Sequence, residues 1–138
     1  MKQILLLAVL ALGINASAQL EVETLAKSET VYTHPMGFHR VSKMLENDSL
    51  YSYHITFKDC QYQQISVYET VSFLSKQDII DFFNLVKSVI ETKEDKTVTF
   101  NGQTVLIMYS TKNAKMYVGD AFCWWSNKWA DKCIEALQ

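Results

Sequence analysis

Residues 50–58, LYSYHITFK, carry the pattern on which the fold turns. Tyr51, Tyr53, Ile55 and Phe57 fall on one side of an extended chain, and Ser52, His54, Thr56 and Lys58 on the other. Successive side chains point to opposite faces of a strand, so this period of two predicts a half-buried β-strand with one face on a core. Downstream, a turn at Asp59-Cys60-Gln61 gives way to renewed alternation, with Ile65, Val67, Val71 and Phe73 on one side. Glu69 falls on that apolar side, which implies a bulge, a strand end or an inward carboxylate, in that order. Upstream, 38–45 and 22–27 are weaker strand candidates, separated by the turn-like His34-Pro35-Met36-Gly37.

The C-terminal half repeats the theme. Residues 97–100 and 104–110 are β-formers on either side of Asn101-Gly102, a hairpin signal because both turn residues tolerate positive φ. After a turn at Lys112-Asn113, residues 115–125 supply a further strand. Two helices are expected. The first follows Ser75 as N-cap, with Asp78 in the capping-box position and an apolar face of Ile79, Phe82, Phe83, Val86, Val89 and Ile90. The second starts at Ser126 and lines up Trp129, Ala130, Cys133, Ile134 and Leu137. The predicted fold class is α+β: an antiparallel sheet of about six to seven strands with two helices packed on one face. Its two halves loosely resemble each other, each a β-meander followed by a helix.

Two strands raise a difficulty. Val105-Leu106-Ile107-Met108-Tyr109 and Ala121-Phe122-Cys123-Trp124-Trp125 are apolar on both faces, and two helices cover only one. The early strands are expected to close over the other face; failing that, another protein meets it, a second copy of the chain included.

Residues 1–18, MKQILLLAVLALGINASA, have a basic start at Lys2, an apolar run and a small-x-small end at Ala16-Ser17-Ala18. That order predicts a signal peptide cleaved before Gln19, leaving 19–138 as a single domain that is periplasmic or secreted and not inserted in a membrane. Without the leader the net charge is about −3 and scattered, with no basic block, which argues against nucleic-acid partners. Seven Tyr, seven Phe and three Trp against one Pro and four Gly indicate an ordered, sheet-rich domain without linkers.

Candidate chemistry is sparse. Three cysteines in an oxidising compartment allow one disulfide, and Cys123–Cys133 is the pair suggested by a strand turning back into a helix. His34 and His39 flank a turn, but no third ligand has metal-binding spacing, so no metal is expected; His54 should lie on the solvent face of its strand. No phosphate loop or nucleophile elbow is present, and no cofactor is implied. A small hydrolase would need Cys60 or a buried carboxylate such as Glu69 or Asp120. Trp124 and Trp125 cannot both face the core of one strand, so one is expected to surface as an anchor for a partner, in company with Tyr117 and Met108.

Small size, export, the lack of a catalytic constellation and two-sided apolar strands point to an exported, non-enzymatic protein-binding domain. Its most concrete form is a periplasmic inhibitor or immunity-type protein that occludes a partner protein. A small-ligand or glycan binder, with a pocket lined by Tyr51, Tyr53, Tyr117 or Trp124, is the alternative.

Overall fold

The computed structural model describes residues 26–62 and 64–138. The leader, its cleavage site and the start of the strand expected from Val22 lie outside the described residues. Among the described residues, eight strands and two helices follow in the order β1 (Lys27–Thr33), β2 (His39–Glu46), β3 (Ser49–Lys58), β4 (Tyr68–Phe73), α1 (Lys76–Thr92), β5 (Lys96–Phe100), β6 (Gln103–Ser110), β7 (Asn113–Val118), β8 (Ala121–Trp125) and α2 (Asn127–Leu137). The strands form two antiparallel meanders of four, β1-β2-β3-β4 and β5-β6-β7-β8, each leading into a helix.

The α+β class and the two meander-plus-helix halves are therefore present, but the single sheet of six to seven strands is corrected to two sheets of four. Two local causes account for the difference. The run 115–125 is broken by Gly119-Asp120, with Gly119 at φ 60°, into β7 and β8 paired as a hairpin. And among the described residues β4 forms no ladder with the second half. Its outer edge is met instead by one side chain: the Gln103 amide accepts from the Ser72 N–H at 2.9 Å and donates to the Thr70 carbonyl at 3.1 Å. A second fastening joins the end of β3 to β8, where the Cys60 N–H donates to the Phe122 carbonyl at 2.8 Å and the Asp59 carboxylate accepts from the Phe122 N–H at 3.2 Å. The hairpin end of the second sheet thus sits against the β4 edge. An exposed row of unpaired backbone groups invites edge-to-edge association, and these contacts blunt it.

The hairpin reading at Asn101-Gly102 holds: both residues have positive φ (48° and 76°) and join β5 to β6. Both helices begin where their capping serines lie. Ser75 Oγ accepts from the Asp78 N–H and Ser126 Oγ from the Trp129 N–H, filling donors that the first turn leaves unpaired. On α1 the buried residues are the six expected, Ile79, Phe82, Phe83, Val86, Val89 and Ile90.

The described residues share one core. Val41, Tyr53, Ile55, Phe57, Val71 and Phe73 from the first sheet join Val105, Ile107, Ala114, Met116, Cys123 and Trp125 from the second in this core, to which both helices contribute. The early strands contribute inward to this core and do not fold over the far side of the second sheet. There Leu106, Met108, Tyr117 and Phe122 are only half-buried and lie outside the core, and Trp124 is exposed.

Candidate functional site

Alternation along β8 decides the site. Cys123 and Trp125 point inward, while Phe122 and Trp124 point out. Trp125 is 1% exposed, its ring stacked on His39 with centroids 4.0 Å apart and planes 18° from parallel. It is a core residue, which corrects its place among the surface anchors expected from the sequence. Trp124 is 41% exposed. Register brings the other two anchors onto the same outer face: Met108 pairs with Lys115, Lys115 with Trp124, and Tyr117 with Phe122. The Tyr117, Phe122 and Trp124 rings form a row with successive centroids 5.3 and 6.4 Å apart. The Lys115 ammonium lies over it, 4.6 Å from the Trp124 centroid and 5.1 Å from that of Phe122, a cation–π arrangement.

Trp124 also stands where the halves meet. Two grooves of about 270 and 320 Å³ flank it, sharing Phe38 and Trp124 in their linings. The first adds His34, Met36 and Trp129; the second adds Lys58, Asp59, Cys60 and Tyr62. Met36 is 74% exposed and Phe38 37%, so the β1–β2 turn presents apolar side chains to solvent beside the tryptophan. The sequence marks Met36 only as part of a turn and Phe38 only as the start of a strand, although large apolar side chains next to Pro35 and Gly37 are a legible sign of a surface with a use. A larger groove of about 400 Å³ is lined by Thr33, Gly37, His39, Arg40, Thr56 and Tyr68 on the first sheet. Trp124 is not part of its lining, and we regard it as the weaker site because it lacks a cluster of apolar anchors.

Beneath the patch, His34 and His39 are buried and not at the surface. Their rings meet edge-on at 4.7 Å, and His34 also packs against Trp129 at 4.1 Å. His34 Nδ1 accepts from the Met36 N–H at 3.1 Å, which shapes the turn that displays Met36. Neither ring nitrogen of His39 has a partner among the described protein groups, and burial, with His34 alongside, pushes its pKa down to about 3. His54 is half-buried, with Nε2 2.9 Å from Ser52 Oγ, and burial lowers its pKa.

The residues considered for catalysis are not assembled. Glu69 is exposed as the second residue of β4, so the strand end explains its odd phase, and Asp120 is exposed in the β7–β8 turn. Burial pushes the Cys60 thiol up, away from the thiolate that a nucleophile needs. Tyr53 is in the core while Tyr51 is exposed, and Tyr117 lies on the other sheet, so the tyrosines do not converge on one pocket. All three thiols are free: the expected Cys123–Cys133 bond is not formed, and while Cys123 and Cys133 are buried in the core, Cys60 is half-buried and its thiol donates to the Lys58 carbonyl at 3.8 Å. Among the described residues no group of three or more His, Cys, Asp or Glu could hold a metal ion, and no helix is long and apolar enough to cross a membrane. No protein family, curated protein or solved structure matches this chain.

Proposed function

We propose that this chain is an exported, non-enzymatic protein-binding domain that docks through the Trp124 patch, in its most concrete form an inhibitor or immunity-type protein that covers a partner's working surface in the periplasm or outside the cell. One observation carries it: an exposed tryptophan ringed by Met36, Phe38 and Tyr62 at the seam of the halves, continuous with the half-open face of Leu106, Met108, Tyr117 and Phe122. Aromatic anchors surrounded by apolar contacts that exclude water supply most of the affinity in protein interfaces. Lys58 lines one groove, Lys115 covers Trp124 and Lys128 lies 5.3 Å over Trp129, while Asp59 in the same groove as Lys58 is buried and takes two backbone N–H bonds, so the exposed charges of the rim are cationic on a chain of negative net charge. The complementary partner offers an apolar socket bordered by carboxylates, and the rim charges speed its encounter more than they add affinity.

A glycan or small-ligand role draws support from the two grooves beside Trp124. The Lys115 ammonium over the ring weighs against it, because a sugar stacks on that same face.

The test is capture of partners by the tagged 19–138 chain from its own cell envelope and from neighbouring-strain lysates, with Trp124→Ala in parallel. One stoichiometric protein, lost with Trp124→Ala and captured more slowly at high salt, is the expected result. Equal capture by both chains would show that the patch is not the interface. The variant should melt within about 0.5 kcal/mol of the parent, as surface changes do.

A further inference from the structure

The want of apolar anchors that makes the large groove on the first sheet a poor seat for a protein suits it to a small polar ligand. Across the sheet runs a row of ladder partners, which share a face: Thr33 pairs with Arg40, Arg40 with Thr56, and Thr56 with Thr70. Lys58 and Tyr68, paired with each other, lie on that face two residues along from Thr56 and Thr70. In the other direction Ser42, His54 and Ser72 continue it. These rows carry hydroxyls and basic groups but no carboxylate. The Thr56 and Thr70 hydroxyls hold each other at 3.1 Å, while Arg40 and Tyr68 are exposed. His39, which also lines the groove, stacks its ring on Trp125.

Arg40 is the chain's one arginine. Every ion pair among the described residues is made by a lysine. The acidic residues of the first half are placed elsewhere. Glu29 is with Lys43, Asp48 with Lys27, and Asp59 takes the N–H groups of Gln61 and Phe122. Glu46 stands at the far end of β2, and Glu69 pairs with Phe57 on the opposite face. The guanidinium therefore borders the groove without a counter-charge, on a chain whose net charge is negative.

We infer that this groove binds a uronate-type acidic saccharide, its carboxylate held by Arg40 and its hydroxyls by Thr33, Thr56 and Tyr68. Three features select that class. A guanidinium offers parallel N–H donors spaced for the two oxygens of a carboxylate. Side-chain hydroxyls both donate and accept, as sugar hydroxyls require. The Tyr68 ring, 57% exposed, gives a sugar an apolar face to lie on. The groove, about 400 Å³, exceeds what a bare anion fills and matches the size of small-molecule sites. One arginine and one lysine are too few to hold a nucleic acid backbone. Trp124 has no part in the groove, so binding there is independent of protein docking at the patch.

Calorimetric titration of the purified protein with digalacturonic acid, its dimethyl ester and sodium acetate provides the test. The diacid should bind. The ester, uncharged but otherwise alike, should bind at least about tenfold more weakly, and acetate more weakly still. Arg40→Gln should abolish binding, and Arg40→Lys, which keeps the charge and loses the fork, should weaken it at least about tenfold. Tyr68→Ala should weaken it, and Trp124→Ala should leave it unchanged. The Arg40 and Tyr68 variants should melt with the parent, since both side chains are exposed. No binding of the diacid, equal binding of acid and ester, acetate binding as tightly as the diacid, undiminished binding by Arg40→Gln, or loss with Trp124→Ala would each overturn the assignment. The parent's preference for acid over ester decides this even where a variant folds poorly.

Discussion

Trp124 and Trp125 are neighbours of the same type with opposite fates. Strand geometry required them to separate, but which one turned inward depended on what waited on each side. Inside, His39 offers a flat ring that stacks on Trp125 and is itself walled in by His34 and Trp129. His39 is 2% exposed, too deeply set to be solvated as a cation. Its folded pKa of about 3 lies below the ordinary value of 6.5. Between these two pH values the unfolded chain binds a proton that the folded chain refuses. Stability is therefore full above pH 6.5 and declines as pH falls through that window, by up to about 1.4 kcal/mol per pH unit. His34 and His54 shift in the same direction. Denaturant titrations at pH 7.5 and pH 5 should show a loss up to about 2 kcal/mol larger in the parent than in His39→Phe, which keeps a ring against Trp125. Equal losses in both would mean that His39 is not the group refusing the proton.

At the scale of elements, local chemistry sets most boundaries. Each helix starts where a serine hydroxyl takes a first-turn N–H, and α1 ends with Lys93 in the left-handed region (φ 60°), its N–H bonded to the Val89 carbonyl. Ser126→Ala should cost about 1 kcal/mol and Ser126→Gly only a few tenths, because glycine still suits the N-cap backbone. Thermal melts of the two variants check this, and identical melts would deny the hydroxyl its role as a cap. Asn101-Gly102 announced its hairpin through the conformations its residues tolerate. Gly119-Asp120 carries a related signal, masked by the apolar run on both sides of it, Met116-Tyr117-Val118 and Ala121-Phe122-Cys123. Length should have been the warning: an uninterrupted strand of eleven residues over 115–125 exceeds the usual length.

Over the whole molecule, the halves are joined by a shared core and by a narrow seam of polar contacts. Gln103 is the most specific of these, because one amide fills both an N–H and a carbonyl on the β4 edge. Gln103→Ala should cost about 1–2 kcal/mol by leaving both groups unpaired. Gln103→Glu should fail to recover that loss, since a carboxylate accepts from Ser72 but cannot donate to Thr70. Urea unfolding should remain a single transition in both variants, because the core spans both sheets. An unchanged midpoint would assign the joining of the sheets to the core alone.

What the sequence determined by itself was everything local: the period of two in 50–58, the Asn-Gly turn, the capping serines, the apolar face of α1, and the certainty that strands apolar on both sides leave one side wanting cover. These follow from steric and hydrogen-bonding preferences that act over a few residues. Only the tertiary structure decided that the strands divide into two sheets, that Trp124 and not Trp125 reaches the surface, and that Cys60 lies against β8 at Phe122. Each of those depends on residues far apart in the chain, such as Gln103 with Thr70 or Asp59 with Phe122, whose meeting no local preference encodes.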